Sequence, residues 1–502
     1  MRPSPGPRPL FRNPSAFSCA ALSAGIAILV YAFTAQTQVG FHDSAELTLR
    51  AVQLGATHAP GAPLHTLLGH LGIALVDQPA AVTAWISVLS AALTAGVLAA
   101  LLRRCDLDAP LSVGTALAFA LTFNVWTNAV MTELYALSAL LCSVLLLLAL
   151  RWRRSARLRL PLALAVVYGL ALAAHFANVV LLPAYAVLVL LALRRGTPVP
   201  LLLMHAGLLA LAVLLIAATN VLLAARVPPF GPYVPDSVSG LLLYMSGAEH
   251  QPVRVAELAV AVIRGIARSV EHLLILIRNF GFIGLPFALL GLWRSVRDDR
   301  PFGVFLLVFF GGYMGYFTVF GPGDYFVMVV PAYAVLALWF ALGADEARRR
   351  WLPSRPALLA AVPAAALCVL NLTTQLQPRL AGARVTTAAD YAARAFATLP
   401  RDSLVVARWN EFTALRYRQV LAAERGDLDL VVPARSVRHY AHGTVPDYLQ
   451  AVAAAICVRP VVTNRVTPEL EVLHRLAPLE GNADWLRVYP VGSEICGQES
   501  RP

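Results

Sequence analysis

The sequence predicts a polytopic α-helical membrane protein with a small C-terminal α/β domain outside the membrane. Three observations predict it. Of 502 residues, 58% are hydrophobic and 14% are charged, with a mean hydropathy of +0.67, whereas soluble domains carry about a quarter charged residues. The apolar residues gather in runs near the length that crosses a bilayer, where only helices can satisfy their own backbone groups. Beyond residue 376 those runs stop, and short β-rich stretches alternate with helical ones.

By the length criterion about eleven spans are expected, at 16–35, 81–102, 112–129, 133–150, 161–176, 177–193, 200–223, 272–293, 302–320, 325–343 and 356–376. All 40 basic residues are arginine, and with the Ala/Leu/Val/Pro bias this suggests a GC-rich genome and a bacterial source. Arg2, Arg8 and Arg12 precede the first span. Arg103/Arg104, Arg151/Arg153/Arg154/Arg157/Arg159, Arg194/Arg195, Arg294/Arg297/Arg300 and Arg348/Arg349/Arg350 then occupy alternate loops. The positive-inside rule places these loops and the N-terminus in the cytoplasm. The first apolar run exceeds the 7–15 residues of a signal-peptide core and is expected to stay as an anchor. A net charge of +12 would suggest nucleic-acid binding in a soluble chain. Here the arginines flank apolar segments, so their role is topology and no nucleic-acid partner is expected.

Two domains follow: a transmembrane domain over 1–376, with long outer loops at 36–80 and 225–271, and an outer α/β domain over 377–502. The loop 225–271 opens with the turn-rich "ARVPPFGPYVPDSVSG" and continues as an amphipathic interfacial helix. In the tail, strands are expected at Leu404–Ala407, Leu428–Val432 and near Val461–Thr463, with helices at about 411–424, before Val461 and through "PELEVLHRL". That alternation implies a small parallel layer. It holds no phosphate loop, metal-ligand cluster or nucleophile elbow, so binding or support is expected of it. Cys457 and Cys496 both fall in the outer tail, where a disulfide is permitted.

The chemistry concentrates in "GFHDSAELTLRAVQLGATHAPGAPLHTLLG", residues 40–69. Asp43-x-x-Glu46 matches a capping box that opens the helix "AELTLRAVQLG", with Gly55 ending it. The pattern alone favours capping, but position raises the reading as functional carboxylates, since ionisable residues at membrane depth mark a pathway or a reaction site. The histidines His42, His58, His65 and His70 match no zinc spacing, and ordinary hydrogen-bonded roles are expected of them.

These residues carry a resemblance. "DSAELTLRAVQLGATHAPGAPLHTLLG" resembles the opening motif, D-S-G-E followed by G-x-x-H-P-P-G-x-P-L, of the family whose eukaryotic member is transmembrane protein 260. "NAVMTELYALSAL" (128–140), "GLALAAHFANVVLLPAY" (169–185), "GDYFVMVVPAYAVLALWFALG" (323–343) and the tail segment "LRYRQVLAAERGDLDLVV" resemble its later stretches in order. Ala45 stands where the family has glycine and Ala59 where it has the first proline; neither change removes a reactive group.

That family is placed among the GT-C glycosyltransferases, and its eukaryotic member is a protein O-mannosyltransferase. The resemblance implies a GT-C-like enzyme that takes a sugar from a polyprenyl-phosphate donor. The acceptor is a protein or a glycan hydroxyl, and the reaction sits at the periplasmic face of a bacterial inner membrane. It makes Asp43 the catalytic residue, matched to a general base, with Glu46 one turn on raising its pKa or holding the acceptor. His42, His58 and His65 are expected to shape the pocket. Arg278, the arginine drawn inside a span, is expected to hold the donor phosphate, in preference to Arg226, Arg254, Arg264 and Arg268. Glu133, Tyr135, His175 and Asp324 project outward and are placed around the pocket. No cofactor is expected beyond the lipid-linked sugar, and a divalent metal is not expected though the residues leave it open. A transporter would also use many spans with buried polar groups, but it calls for broken spans at matching positions in two halves, and none is seen here.

Overall fold

A computed structural model describes residues 14–154, 159–230, 234–248, 255–320, 325–383, 387–432 and 447–490. The chain opens with α1 (Pro14–Thr34), two short helices α2 (Ser44–Gln53) and α3 (Pro63–Leu75), and α4 (Pro79–Arg104). Next come α5 (Ala109–Ala120), α6 (Phe123–Ala129), α7 (Tyr135–Arg154), α8 (Arg159–Ala174), α9 (Leu182–Arg194) and α10 (Val199–Arg226). After α11 (Val238–Ser246), the long α12 (Val255–Asp298) leads to α13 (Arg300–Phe320), the single turn α14 (Tyr325–Met328), α15 (Val330–Trp351) and α16 (Val362–Ala383). Proline in the first turn opens α3, α4, α5, α9, α10 and α15, where its missing N–H would be unpaired in any case.

Every expected span falls on a helix, but the count is lower. Among the described residues nine helices are long and apolar enough to cross a membrane. A tenth span results if α5 and α6, bent by 69° at their junction, are one broken crossing. The remaining expected span is α8, whose 16 residues are short for a bilayer. The expected interfacial segment appears as α11 and the first part of α12, which breaks at Gly281 (φ 64°) before Pro286.

The centre of the bundle is α15, buried without interruption from Val330 to Ala347. A helix apolar all round belongs in such an interior. It crosses α12 with almost no side chain between them. A Cβ built on Gly291 would lie 1.6 Å from the Trp339 carbonyl oxygen, and one on Gly343 would lie 1.8 Å from that of Phe287. Small residues let helix backbones approach in a membrane, where apolar side chains gain little by leaving lipid. At the arginine-rich end of this pair, Arg294 binds Asp345 at 2.8 Å and Arg297 binds Glu346 at 2.8 Å.

The tail contains α17 (Thr387–Thr398), β1 (Leu404–Val406), α18 (Trp409–Leu421), β2 (Asp429–Val431), α19 (Asp447–Ala455), β3 (Val461–Thr463), α20 (Pro468–Leu473), β4 (His474–Leu479) and β5 (Asn482–Pro490). The sheet order is β2-β1-β3-β5-β4, with β1 parallel to both β2 and β3. Those are the three expected strands. The antiparallel hairpin β4–β5 corrects the expected helix at "PELEVLHRL", of which only six residues are helical. The signal lay further on, in the tight turn at Glu480–Gly481, where Gly481 takes φ 78°. Cys457 is disulfide-bonded, and its expected partner Cys496 lies outside the described residues.

The α12–α15 crossing gives a direct test. Gly291→Ala forces the two backbones apart and is expected to destabilise the purified protein by about 1–3 kcal/mol, the usual range for overpacking, read as a lower Tm in detergent. Gly311→Ala on α13, which meets nothing within 4 Å, is the control and leaves Tm unchanged.

Candidate active site

The segment between α1 and α3 builds a small cluster of ionisable side chains. His42 takes a left-handed conformation (φ 66°) and swings the chain into α2, with Asp43 at the N-cap. The expected capping box does not form, because the Asp43 side chain makes no capping bond. Gly55 is not the C-cap either: Leu54 takes that position, in a left-handed conformation. Both carboxylates turn elsewhere. Glu46, wholly buried, accepts the His58 backbone N–H through Oε1 at 2.7 Å and pairs its Oε2 with His58 Nδ1 at 2.5 Å. The opposite edge of the imidazole, Nε2, lies 3.8 Å from Asp43 Oδ2. His58 therefore stands between the two acids.

The turn that delivers His58 is tightly fixed. Ala59–Pro60 is a cis peptide, and Gly61 follows at φ 83°. A Cβ on Gly61 would lie 2.7 Å from the Tyr244 hydroxyl and 2.8 Å from Asn220 Oδ1, so glycine is required on both counts. Tyr244 donates to the Thr57 carbonyl at 2.8 Å, and the Ala62 N–H to the Thr57 hydroxyl at 3.0 Å. A chain of threonine hydroxyls, Thr48 to Thr83 to Thr132 at 2.8 and 2.9 Å, ties α2 to α4 and to the segment before α7. One turn after Glu46, Arg50 is also buried and lies 3.7 Å above the Phe230 ring. Burial pulls its pKa down to about 10, against the opposing pull of the Glu46 charge.

The tail closes over this cluster. Trp409, the first residue of α18, donates its indole N–H to Asp43 Oδ1 at 2.7 Å. Its ring meets His58 edge-on, with centroids 5.3 Å apart. One turn on, Thr413 donates to the His42 carbonyl at 3.5 Å, and Tyr391 of α17 lies 5.9 Å from the Phe41 ring.

Of the residues expected at the site, the structure gathers Asp43, Glu46 and His58, and it leaves His42 exposed beside them. Glu133 is buried, its backbone N–H held by Ser87 on α4. Tyr135 and His175 are buried against each other, ring centroids 5.7 Å apart. His65 is wholly buried with neither ring nitrogen hydrogen-bonded, and burial lowers its pKa to about 4, so it is neutral. Arg278 lies elsewhere, 3.4 Å above the Phe123 ring, in the wall of a cavity of about 630 Å³ between α12 and α16. Arg379 approaches the same ring at 5.0 Å. Asp324 lies outside the described residues, as does Arg254. Trp409, Phe230, Arg50 and Tyr244 were not expected; each comes from packing between distant segments.

Ligand atoms of Asp43, Glu46 and His58 lie within 4.8 Å of one another, a spacing that fits a cation. Both Glu46 oxygens bond His58, an arrangement by which a carboxylate orients an imidazole.

Residues 43–197 match the family model described as the Protein O-mannosyl-transferase TMEM260 N-terminal domain, a match that begins at Asp43 itself. No curated protein matches the chain. Among solved structures, ArnT from Cupriavidus metallidurans bound to undecaprenyl phosphate superposes with a TM-score of 0.56 at 15% identity, covering 95% of this chain and 99% of that one. Its apo state gives 0.57 at 16% identity with the same coverage. At that identity the likeness shows the fold, and the family model adds a similarity over residues 43–197. Residues 43–197 are thus similar to the TMEM260-type O-mannosyl-transferase N-terminal domain, and the multi-span chain shares the fold of ArnT over nearly its whole length.

Proposed function

We propose that the chain transfers a sugar, mannose in the reading its family model favours, from a polyprenyl-phosphate donor to a serine or threonine hydroxyl of a protein. The observation that carries this reading is the Asp43–His58–Glu46 cluster at the start of the matched domain. Inversion at the anomeric carbon needs one base and a good leaving group, and the lipid phosphate already leaves well. As the acceptor oxygen bonds to C1, its proton passes to Asp43. The C1–O bond to phosphate breaks, and the polyprenyl phosphate departs with the electron pair. A positioned carboxylate contributes roughly 10²–10⁴-fold to such a step.

Glu46 acts through His58. Its two bonds fix the imidazole with Nε2 toward Asp43, which sets the Asp43 carboxylate beside a polar edge, while Glu46 itself is wholly buried. The cavity between α12 and α16 supports a lipid donor. Leu367, Leu370, Phe282 and Ile283 line it as an apolar trough, and Arg278, Asn371 and Gln375 add polar groups. A guanidinium there suits a lipid-linked phosphate. The arginine pattern supports an outer-face reaction with a cytoplasmic N-terminus, hence a periplasmic tail in a bacterial inner membrane.

Asp43→Asn is expected to lower transfer from radiolabelled polyprenyl-phosphate mannose at least about 100-fold at unchanged Tm. The assay offers a periplasmic protein extract and a lipid extract side by side. Label in protein supports the acceptor proposed, label in lipid replaces it, and an undiminished rate in the variant removes Asp43 as the base. Arg278→Ala is expected to raise the donor KM about 3–10-fold with kcat little changed, the signature of lost uniform binding. EDTA is expected to leave the rate unchanged, because the transfer as written needs only the Asp43 base and the phosphate leaving group; an EDTA-abolished rate restored by Mg²⁺ or Mn²⁺ would assign the cluster to a cation.

A further inference from the structure

We infer that Trp409 is a positioning residue of the active site. The C-terminal α/β layer reaches back across 366 positions of sequence to hold the Asp43 carboxylate, and in doing so completes the site. The inference rests on Asp43 being the base.

The indole is placed by the sheet, not by the membrane helices. β1 is the central strand of the parallel set, and Trp409 follows its carboxyl end by three residues. The backbone N–H of Arg408, immediately before it, is held by Asn464 Oδ1 at 2.9 Å, and Asn464 follows the carboxyl end of the neighbouring strand β3. Carboxyl ends of parallel strands are where α/β layers present their functional groups. Here two such ends meet at one tryptophan. Phe230 and Phe412 lie against the ring, each with its centroid 6.5 Å away, and Trp409 is only 8% exposed.

The chemistry of an indole suits this task. It donates one hydrogen bond and accepts none, so it favours the ionised carboxylate and cannot take the acceptor's proton itself. With Oδ1 engaged, Oδ2 is the oxygen that faces His58 Nε2. Rotation about the terminal bond of an aspartate is broad and roughly two-fold. A donor fixed on Oδ1 therefore biases which lone pairs face the incoming hydroxyl. The same ring packs on His58, so one residue of the tail restrains both partners.

Two measurements on the full-length chain in detergent test this. With ¹⁵N-labelled tryptophan the protein has eight indole N–H signals, and Trp409→Phe identifies that of Trp409 by its loss. Asp43→Asn is expected to move that signal. A Trp409 signal that ignores Asp43→Asn overturns the inference without any assumption about the substrate. In the transfer assay with radiolabelled polyprenyl-phosphate mannose, Trp409→Phe is expected to lower kcat about tenfold at a donor KM changed less than roughly twofold. In the Asp43→Asn background the same change is expected to lower the residual rate less than about twofold, because interacting residues are not additive. Equal losses in both backgrounds would show a general structural role and sink the inference. Trp409→His, which keeps a ring N–H, is expected to recover part of the loss; a variant no better than Trp409→Phe counts against it. Full activity in Asp43→Asn would remove the base reading instead, leaving the indole signal as the separate record of the contact.

Discussion

A carboxylate stripped of water must find its hydrogen bonds in protein or cease to be a carboxylate, and Glu46 finds both of its bonds in one residue. Much of this end of the bundle follows from that requirement. For His58 to offer its backbone N–H and its Nδ1 to the same group, the chain after α2 must double back within twelve residues. The cis peptide, the left-handed Gly61 and the tyrosine on Thr57 form the turn that does so. The threonine relay then fixes α2 against α4, so the clamp is referred to the membrane frame rather than to a loose loop. Asp43 inherits its position from this construction.

The same acids show why a local pattern can suggest one structure and deliver another. Asp-x-x-Glu before an apolar run is a sound capping signature, and Asp43 does occupy the N-cap. Its carboxylate is nonetheless drawn away by the indole of a helix far along the chain, and the Glu46 carboxylate by an imidazole. Capping is worth about 1 kcal/mol, whereas a hydrogen bond to a buried charge is worth about 1.5–3 kcal/mol. The tertiary partners win.

The spans were legible because hydrocarbon imposes length and apolarity on every crossing, and the matched motif marked Asp43, Glu46 and His58 for attention. The rest was hidden for definite reasons. The bend between α5 and α6 and the shortness of α8 depend on neighbours, not on hydropathy. Trp409 falls between the strand expected at Leu404–Ala407 and the helix expected at about 411–424, and nothing around it in sequence points toward residue 43. Arg278 was expected to hold the donor phosphate; that it lies over Phe123 in the wall of an apolar cavity depends on packing between α12 and α16, which hydropathy does not reveal. The β4–β5 hairpin was missed where a short helix runs directly into a strand.

The enclosure of α15 also bears on how the chain is made. A helix sealed in protein along Val330–Ala347 never has to satisfy lipid, and it is the least apolar of the nine long helices, ending with Asp345 and Glu346. Left to partition alone, it would be the weakest candidate for insertion. Its main partners, α12, α13 and α7, leave the ribosome before it, so it emerges beside a surface already shaped to receive it. Membrane insertion and tertiary packing are then one event for this segment, and the order of helices along the chain serves as an assembly schedule.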